Sequence, residues 1–99
     1  MILAKAHVVN GKKLVAVCDA ELLGKKFEEK DFQLDLTSNF YKGKQTNEEN
    51  LMQLLEGAYV VNLVGKESVE FGIKKGLIQK ESVKTVAKVP HSELFEVDL

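Results

Sequence analysis

Asn10-Gly11 stands between two runs of β-branched and small apolar residues, 2–9 and 12–18, and this dipeptide restricts the fold more tightly than any other local signal in the chain. Asn-Gly suits a two-residue type I′ turn because both central residues need positive φ, and that turn matches the right-handed twist of paired strands. The register follows at once. Residues whose numbers sum to 21 pair, so Val9 faces Lys12, His7 faces Leu14 and Leu3 faces Cys18. Because strand side chains alternate, one face of the hairpin carries Ile2, Ala4, Ala6, Val8, Val15 and Val17, a core face. The other carries Leu3, Lys5, His7, Val9, Leu14, Ala16 and Cys18 and is mixed.

After the hairpin, Asp19 is placed to cap a short turn through Glu21-Leu22-Leu23 that Gly24 closes. The charged stretch 25–31 precedes an alternating strand over 32–37. Thr46 and Glu49 have capping-box spacing and open a helix through Glu56, with Leu51, Leu54 and Leu55 as its buried stripe and Gly57 as its stop. Residues 58–64 read as a buried strand. A second helix over 66–75 puts Val69, Gly72 and Ile73 on one face, spaces Lys66–Glu70 and Glu70–Lys74 for i,i+4 pairs, and stops at Gly76. Gly72 on the inner face implies a close helix–strand approach. Alternation resumes over 83–89, Pro90 interrupts it, and 94–99 offers a last strand. This order predicts an α+β domain spanning 1–99, a mixed sheet with an N-terminal β-hairpin and two main helices packed on one face.

The length of 99 residues suits one modest core. No apolar run approaches the roughly 20 residues that cross a bilayer, and the first residues have neither a basic n-region nor a long apolar h-region, so a cytoplasmic protein with no membrane partner is expected. Cys18 is the single cysteine, which excludes an internal disulfide and suits a reducing compartment. The net charge of -1 argues against nucleic-acid binding through bulk charge. All 14 basic residues are lysine. Without arginine there is no bidentate reader of guanine edges, so recognition of a nucleic acid would run through backbone or shape.

For chemistry, the junction Asn62-Leu63-Val64-Gly65-Lys66 draws attention first. A strand that passes to a helix at glycine directs N–H groups outward beside Lys66, the local chemistry of an anion site and equally that of an ordinary structural turn. It is not a Walker A loop, since Val60 and Glu67 stand where glycine and Ser/Thr are required. Asn62 suits either a cap on that helix or a ligand contact. For Cys18 the register puts His7 about 13 Å away, so only His91, arriving from elsewhere in the fold, could serve as a base, and a buried inert thiol is the better reading. One cysteine and two histidines without metal-ligand spacing give no metal site, and no cofactor is implied. His91 follows Pro90, which fixes the backbone so that the imidazole meets a partner or ties a turn. Phe40-Tyr41-Lys42-Gly43-Lys44 combines aromatics with lysines, the composition that stacks on unpaired bases or anchors a protein, unless Phe40 simply fills the core.

The segments 15–19 (Val-Ala-Val-Cys-Asp), 21–25 (Glu-Leu-Leu-Gly-Lys), 39–41 (Asn-Phe-Tyr), 62–65 (Asn-Leu-Val-Gly), 76–78 (Gly-Leu-Ile) and 89–91 (Val-Pro-His) resemble the archaeal domain-of-unknown-function family 424, over essentially the whole chain. The resemblance implies a small archaeal cytosolic protein, singles out Cys18, Phe40, Tyr41, Asn62, Gly65, Pro90 and His91, and carries no catalytic assignment. The expected function is a non-enzymatic module that binds RNA, a ribonucleoprotein or a translation-associated protein. Two alternatives stand beside it: a small enzyme or binder of a phosphate-containing ligand around Asn62, Gly65, Lys66 and His91, and a protein–protein adaptor using Phe40 and Tyr41. Oligomeric state is not legible.

Overall fold

The computed structural model describes residues 1–97. Strands β1 (Ile2–Val9) and β2 (Lys12–Asp19) form the hairpin in the expected register, Leu3 opposite Cys18 and His7 opposite Leu14. Asn10 and Gly11 both take positive φ, 52° and 76°. The hairpin is the nucleus of a six-stranded mixed sheet of order β5-β1-β2-β6-β8-β7, made with β5 (Lys44–Thr46), β6 (Val60–Val64), β7 (Lys84–Val86) and β8 (Val89–Phe95). Among the described residues only the β2–β6 pair is parallel. A parallel neighbour demands a crossover, and the chain between β2 and β6 provides it through helix α1 (Glu48–Leu55).

Helices α1 and α2 (Lys66–Lys74) lie on the first face, the one carrying Val15 and Val17. Leu51 and Leu55 of α1 and Val69 and Phe71 of α2 pack with Val15, Val17, Val61 and Leu63 into the main core. Gly72 answers the close approach: a Cβ there would meet the Leu63 side chain at 2.8 Å. The α2 inner face differs from expectation, with Ser68 and Phe71 buried and Ile73 turned outward. The cap of α1 sits one residue later than the Thr46 capping box, at Asn47, whose side chain accepts from the Asn50 N–H at 2.7 Å. Lys74 and Lys75 pair with Glu48 of α1.

The second face carries Leu3, Ala16, Cys18 and Val64, and it has its own cover. The charged stretch 25–31 contains half of a two-stranded ribbon: β3 (Lys26–Glu29) pairs with β4 (Phe32–Asp35) around Lys30, which has positive φ of 55°. Phe27, Leu34 and Leu36 from this segment, with Leu22 and Tyr41, close over Cys18, Val64 and Val89. Its alternate residues face solvent, which is why the sequence there reads as charged.

Pro90 does not interrupt a strand; it lies inside β8, opposite Thr85. The turn is at Ala87-Lys88, both at positive φ (48° and 70°). Proline is tolerated because Gly65 lies across from it as β6 ends: Gly65 N–H donates to the Pro90 carbonyl, while the Gly65 carbonyl, which a residue with an N–H would have bonded in return, accepts from Val69 as the first bond of α2. The expected strand over 94–99 is the end of β8 as far as Phe95, and its last two residues lie outside the described residues.

Gly11→Val forces a β-branched residue to positive φ at the tip of the sheet's first hairpin. It should lower the stability measured by urea unfolding by about 1–2 kcal/mol, with an unchanged slope against denaturant.

Candidate functional site

The anion that the α2 N-terminus binds is part of the chain itself. Asp19, fully enclosed at the end of β2, accepts from the N–H groups of Glu67 (2.9 Å) and Ser68 (2.8 Å) and from the Ser68 hydroxyl (2.8 Å). A carboxylate in this position satisfies orphan helix donors and meets the positive end of the helix dipole. Asp19 does not cap the short turn after it; the Ala20–Leu22 turn has no side-chain cap. Gly65 is buried, and its φ of 109° with ψ of 162° belongs to glycine alone. A Cβ at Gly65 would fall inside the Asp19 carboxyl group. Its N–H is spent on Pro90. The Gly65-Lys66 junction is thus largely occupied: Lys66 is exposed beside it, but the N–H groups of Gly65, Glu67 and Ser68 are bonded within the chain. Asn62 plays no part in capping α2; in the sheet it pairs with Ala16 and Glu93, on the second face.

Cys18 is fully buried, and burial with the nearby Asp19 and Glu21 charges pushes its thiol up to about 11, so it stays protonated and inert at neutral pH. Phe40 is half-buried and stacked on His7, with ring centroids 4.6 Å apart and planes 8° from parallel, and its carbonyl is 2.9 Å from His7 Nε2. Tyr41 meets Phe40 edge-on and packs into the second core, where burial, Cys18 and Glu93 push its phenol up to about 12. Both aromatics are engaged inside the molecule.

What remains open is the other end of the second face. Cross-strand partners share a face, so the register lays down a row Lys5–Ala16–Asn62–Glu93 and a second row His7–Leu14–Val60–Phe95. The ribbon's apolar contacts lie at the Cys18–Val64–Val89 end. On β8, His91, Glu93 and Phe95 project from the same face by alternation. With Lys84 of β7 and Ser82 of the turn before it, they line a cavity of about 290 Å³. Phe95 is 65% exposed. His91 is half-buried beside Lys84, its partner across the β7–β8 pair, and burial followed by the Lys84 charge holds the imidazole below its usual 6.5. At neutral pH it is therefore an uncharged hydrogen-bonding ring. Of the residues selected from sequence, the structure puts His91 and Asn62 on one face, lays Phe40 over His7 of the same face and Tyr41 over the Cys18–Val64–Val89 end, and puts Gly65 in the junction beside Asp19. Phe95 was missed; its signal was the period-two spacing of His91, Glu93 and Phe95.

These features define an α+β protein with helices on one face of a mixed sheet and a ribbon over half of the other. The chain belongs to the protein family of unknown function DUF424, which matches residues 7–97. Its fold is similar to that in the crystal structure of an uncharacterized conserved protein from Methanopyrus kandleri, with a TM-score of 0.77 over 99% of this chain and 93% of that one, at 20% identity. No curated protein matches the chain in sequence. Among the described residues, no helix is long and apolar enough to cross a membrane.

Asp19→Ala leaves two helix N–H groups and the buried Ser68 hydroxyl without their acceptor, and should cost about 3 kcal/mol in urea unfolding. His91 gives a pH signature. Its folded value lies below the unfolded one, so on acidification the unfolded chain takes the proton first; stability is whole above about 6.5 and declines below it. Lys84→Ala should raise the His91 titration midpoint seen by NMR and flatten that decline.

Proposed function

We propose that the protein is a non-enzymatic binding module for RNA or a ribonucleoprotein, and that its contact surface is the open part of the second sheet face. The observation that carries this reading is the β8 groove, where the exposed ring of Phe95 stands beside His91, Glu93 and Lys84. A ring standing free on a sheet is a platform for an unstacked base. Lys84 supplies a point charge at phosphate range, Glu93 an acceptor for an exocyclic amino group, and neutral His91 a hydrogen bond without a charge to desolvate. Lys12 stands one rung beyond His7 and Leu14, with its ammonium 3.9 Å over the Tyr59 ring. With lysine as the only strong base, stacking and phosphate contact would dominate over readout of guanine edges.

Each alternative loses part of its site to contacts within the chain. An enzyme or phosphate-ligand binder around Asn62, Gly65, Lys66 and His91 would have to draw the Glu67 and Ser68 N–H groups away from Asp19. An adaptor built on Phe40 and Tyr41 would have to detach Phe40 from His7 and Tyr41 from the core.

The test is fluorescence anisotropy with a labelled single-stranded RNA of mixed sequence at low salt. Phe95→Ala should weaken binding by about 5- to 100-fold without changing the salt slope, and Lys84→Ala should reduce that slope by about 0.7. RNA that fails to bind at low salt, or binds Phe95→Ala as well as the parent protein, would overturn the proposal.

A further inference from the structure

The sheet's edge on the β1 side is only half closed. β5 pairs with Ile2, Leu3 and Ala4 and goes no further. There the chain has come round the edge from the second face, and Gly43 packs so closely on the Ala4 carbonyl that a Cβ would overlap it. From Ala6 to Val9 no strand lies outside β1 among the described residues. The two-residue turn makes Val9 and Lys12 a hydrogen-bonded pair, so the odd residues of β1 bond to β2 and the even ones point their N–H and C=O groups outward. Lys13 C=O, which accepts from Tyr59 N–H on the β6 side, confirms this parity for β2. Ala6 and Val8 therefore present their main-chain groups to solvent, and neither makes another hydrogen bond among the described residues. Val8 is also 76% exposed. Natural edges are usually guarded by proline, a bulge or a charge, whereas this one runs in unbroken register with alanine and valine at its open positions.

Beside this edge lies a cavity of about 410 Å³ whose floor includes Ala4, Ala6 and Leu54 of α1. Its lining holds Lys5, Lys42 and Lys44 and no acidic residue. We infer that the open edge of β1 accepts an extended acidic segment of a partner protein as an added strand, in line with β5. Main-chain bonds to Ala6 and Val8 would hold the segment, alternate apolar side chains would enter the groove against Leu54, and carboxylates would meet Lys42 and Lys44, whereas Lys5 donates to the Asn39 carbonyl on the second face. The open stretch from Ala6 to Val9 is about 13 Å long, room for a four-residue strand. Charge decides against a second copy of this chain as the occupant: residues 2–9 contain no carboxylate to meet the lysines.

A nine-residue peptide alternating glutamate with valine and leucine, and a matched peptide with lysine in place of glutamate, test this against the full chain by NMR. The acidic peptide should slow amide exchange at Ala6 and Val8 and bind at least about tenfold more tightly than the lysine peptide. Val8→Pro removes one outward N–H without touching the bonds to β2, and should abolish that protection. Lys42→Glu with Lys44→Glu, both at exposed positions, should reverse the preference between the two peptides and serves where the proline variant does not fold. Equal binding of the two peptides, exchange changes confined to other strands, or a β1-mediated dimer seen by ultracentrifugation and lost in Val8→Pro would each overturn the inference.

Discussion

The bond from the Asp19 carboxylate to the N-terminus of α2 fixes the relation between sheet and helices on which the rest depends. It joins the last residue of β2 to the first turn of the helix that follows β6, so two parallel neighbours are tied at the same end. With three donors pointing at it, the buried carboxylate is satisfied in a place where an unpaired charge would cost several kcal/mol. The contact also sets the backbone between β6 and α2. Only glycine fits against the carboxyl group, and once Gly65 turns there its carbonyl opens the helix, leaving no acceptor opposite Pro90. A glycine, a proline and an aspartate far apart in sequence therefore serve one junction.

That junction shows why some features were legible in the sequence and others were not. Asn10-Gly11 encodes its own turn, and the register it dictates was right to the residue. The leucine stripe of α1, the mixed sheet with two helices on one face, and the tight fit at Gly72 also follow from local periodicity and size. Asp19 was recognised as a cap, but its helix begins 47 residues later, and no local pattern announces a partner at that distance. The β3–β4 ribbon was half missed because it packs one row of Phe27 and Leu34 and leaves the other row in water, so charge masked strand periodicity. Pro90 misled because the usual strand-breaking effect depends on a missing hydrogen bond, and here the acceptor had already gone to the helix.

The candidate site was legible only in part for the same reason. Asn62 and His91 were found through their setting at strand ends, and pairing puts both on one face. Phe40 and Tyr41 looked available because adjacent aromatics beside lysines in a loop have the composition of a contact surface. The fold instead uses them as internal cover, Phe40 against His7 and Tyr41 over Cys18. Phe95 reached the surface because the second face carries less cover than the first: the two-stranded ribbon and Tyr41 shield the Cys18–Val64–Val89 end and leave the Val60–Phe95 rung open.

The two open surfaces belong to opposite flanks of one sheet. The β8 groove lies on the second face toward β7, and the free edge of β1 opens beside β5, with β2 and β6 between them. At the usual strand spacing this separates β1 from β8 by about 14 Å, across the most rigidly packed part of the molecule. The intervening side chains Val15, Val17, Val61 and Leu63 are wholly buried, and a packed core of this kind does not deform continuously. Occupation of one surface would therefore leave the other in place. A base stacked on Phe95 and a strand added to β1 share no residue and no hydrogen bond, so the architecture permits the chain to bridge two partners, joined through the pair of strands that Asp19 ties to α2.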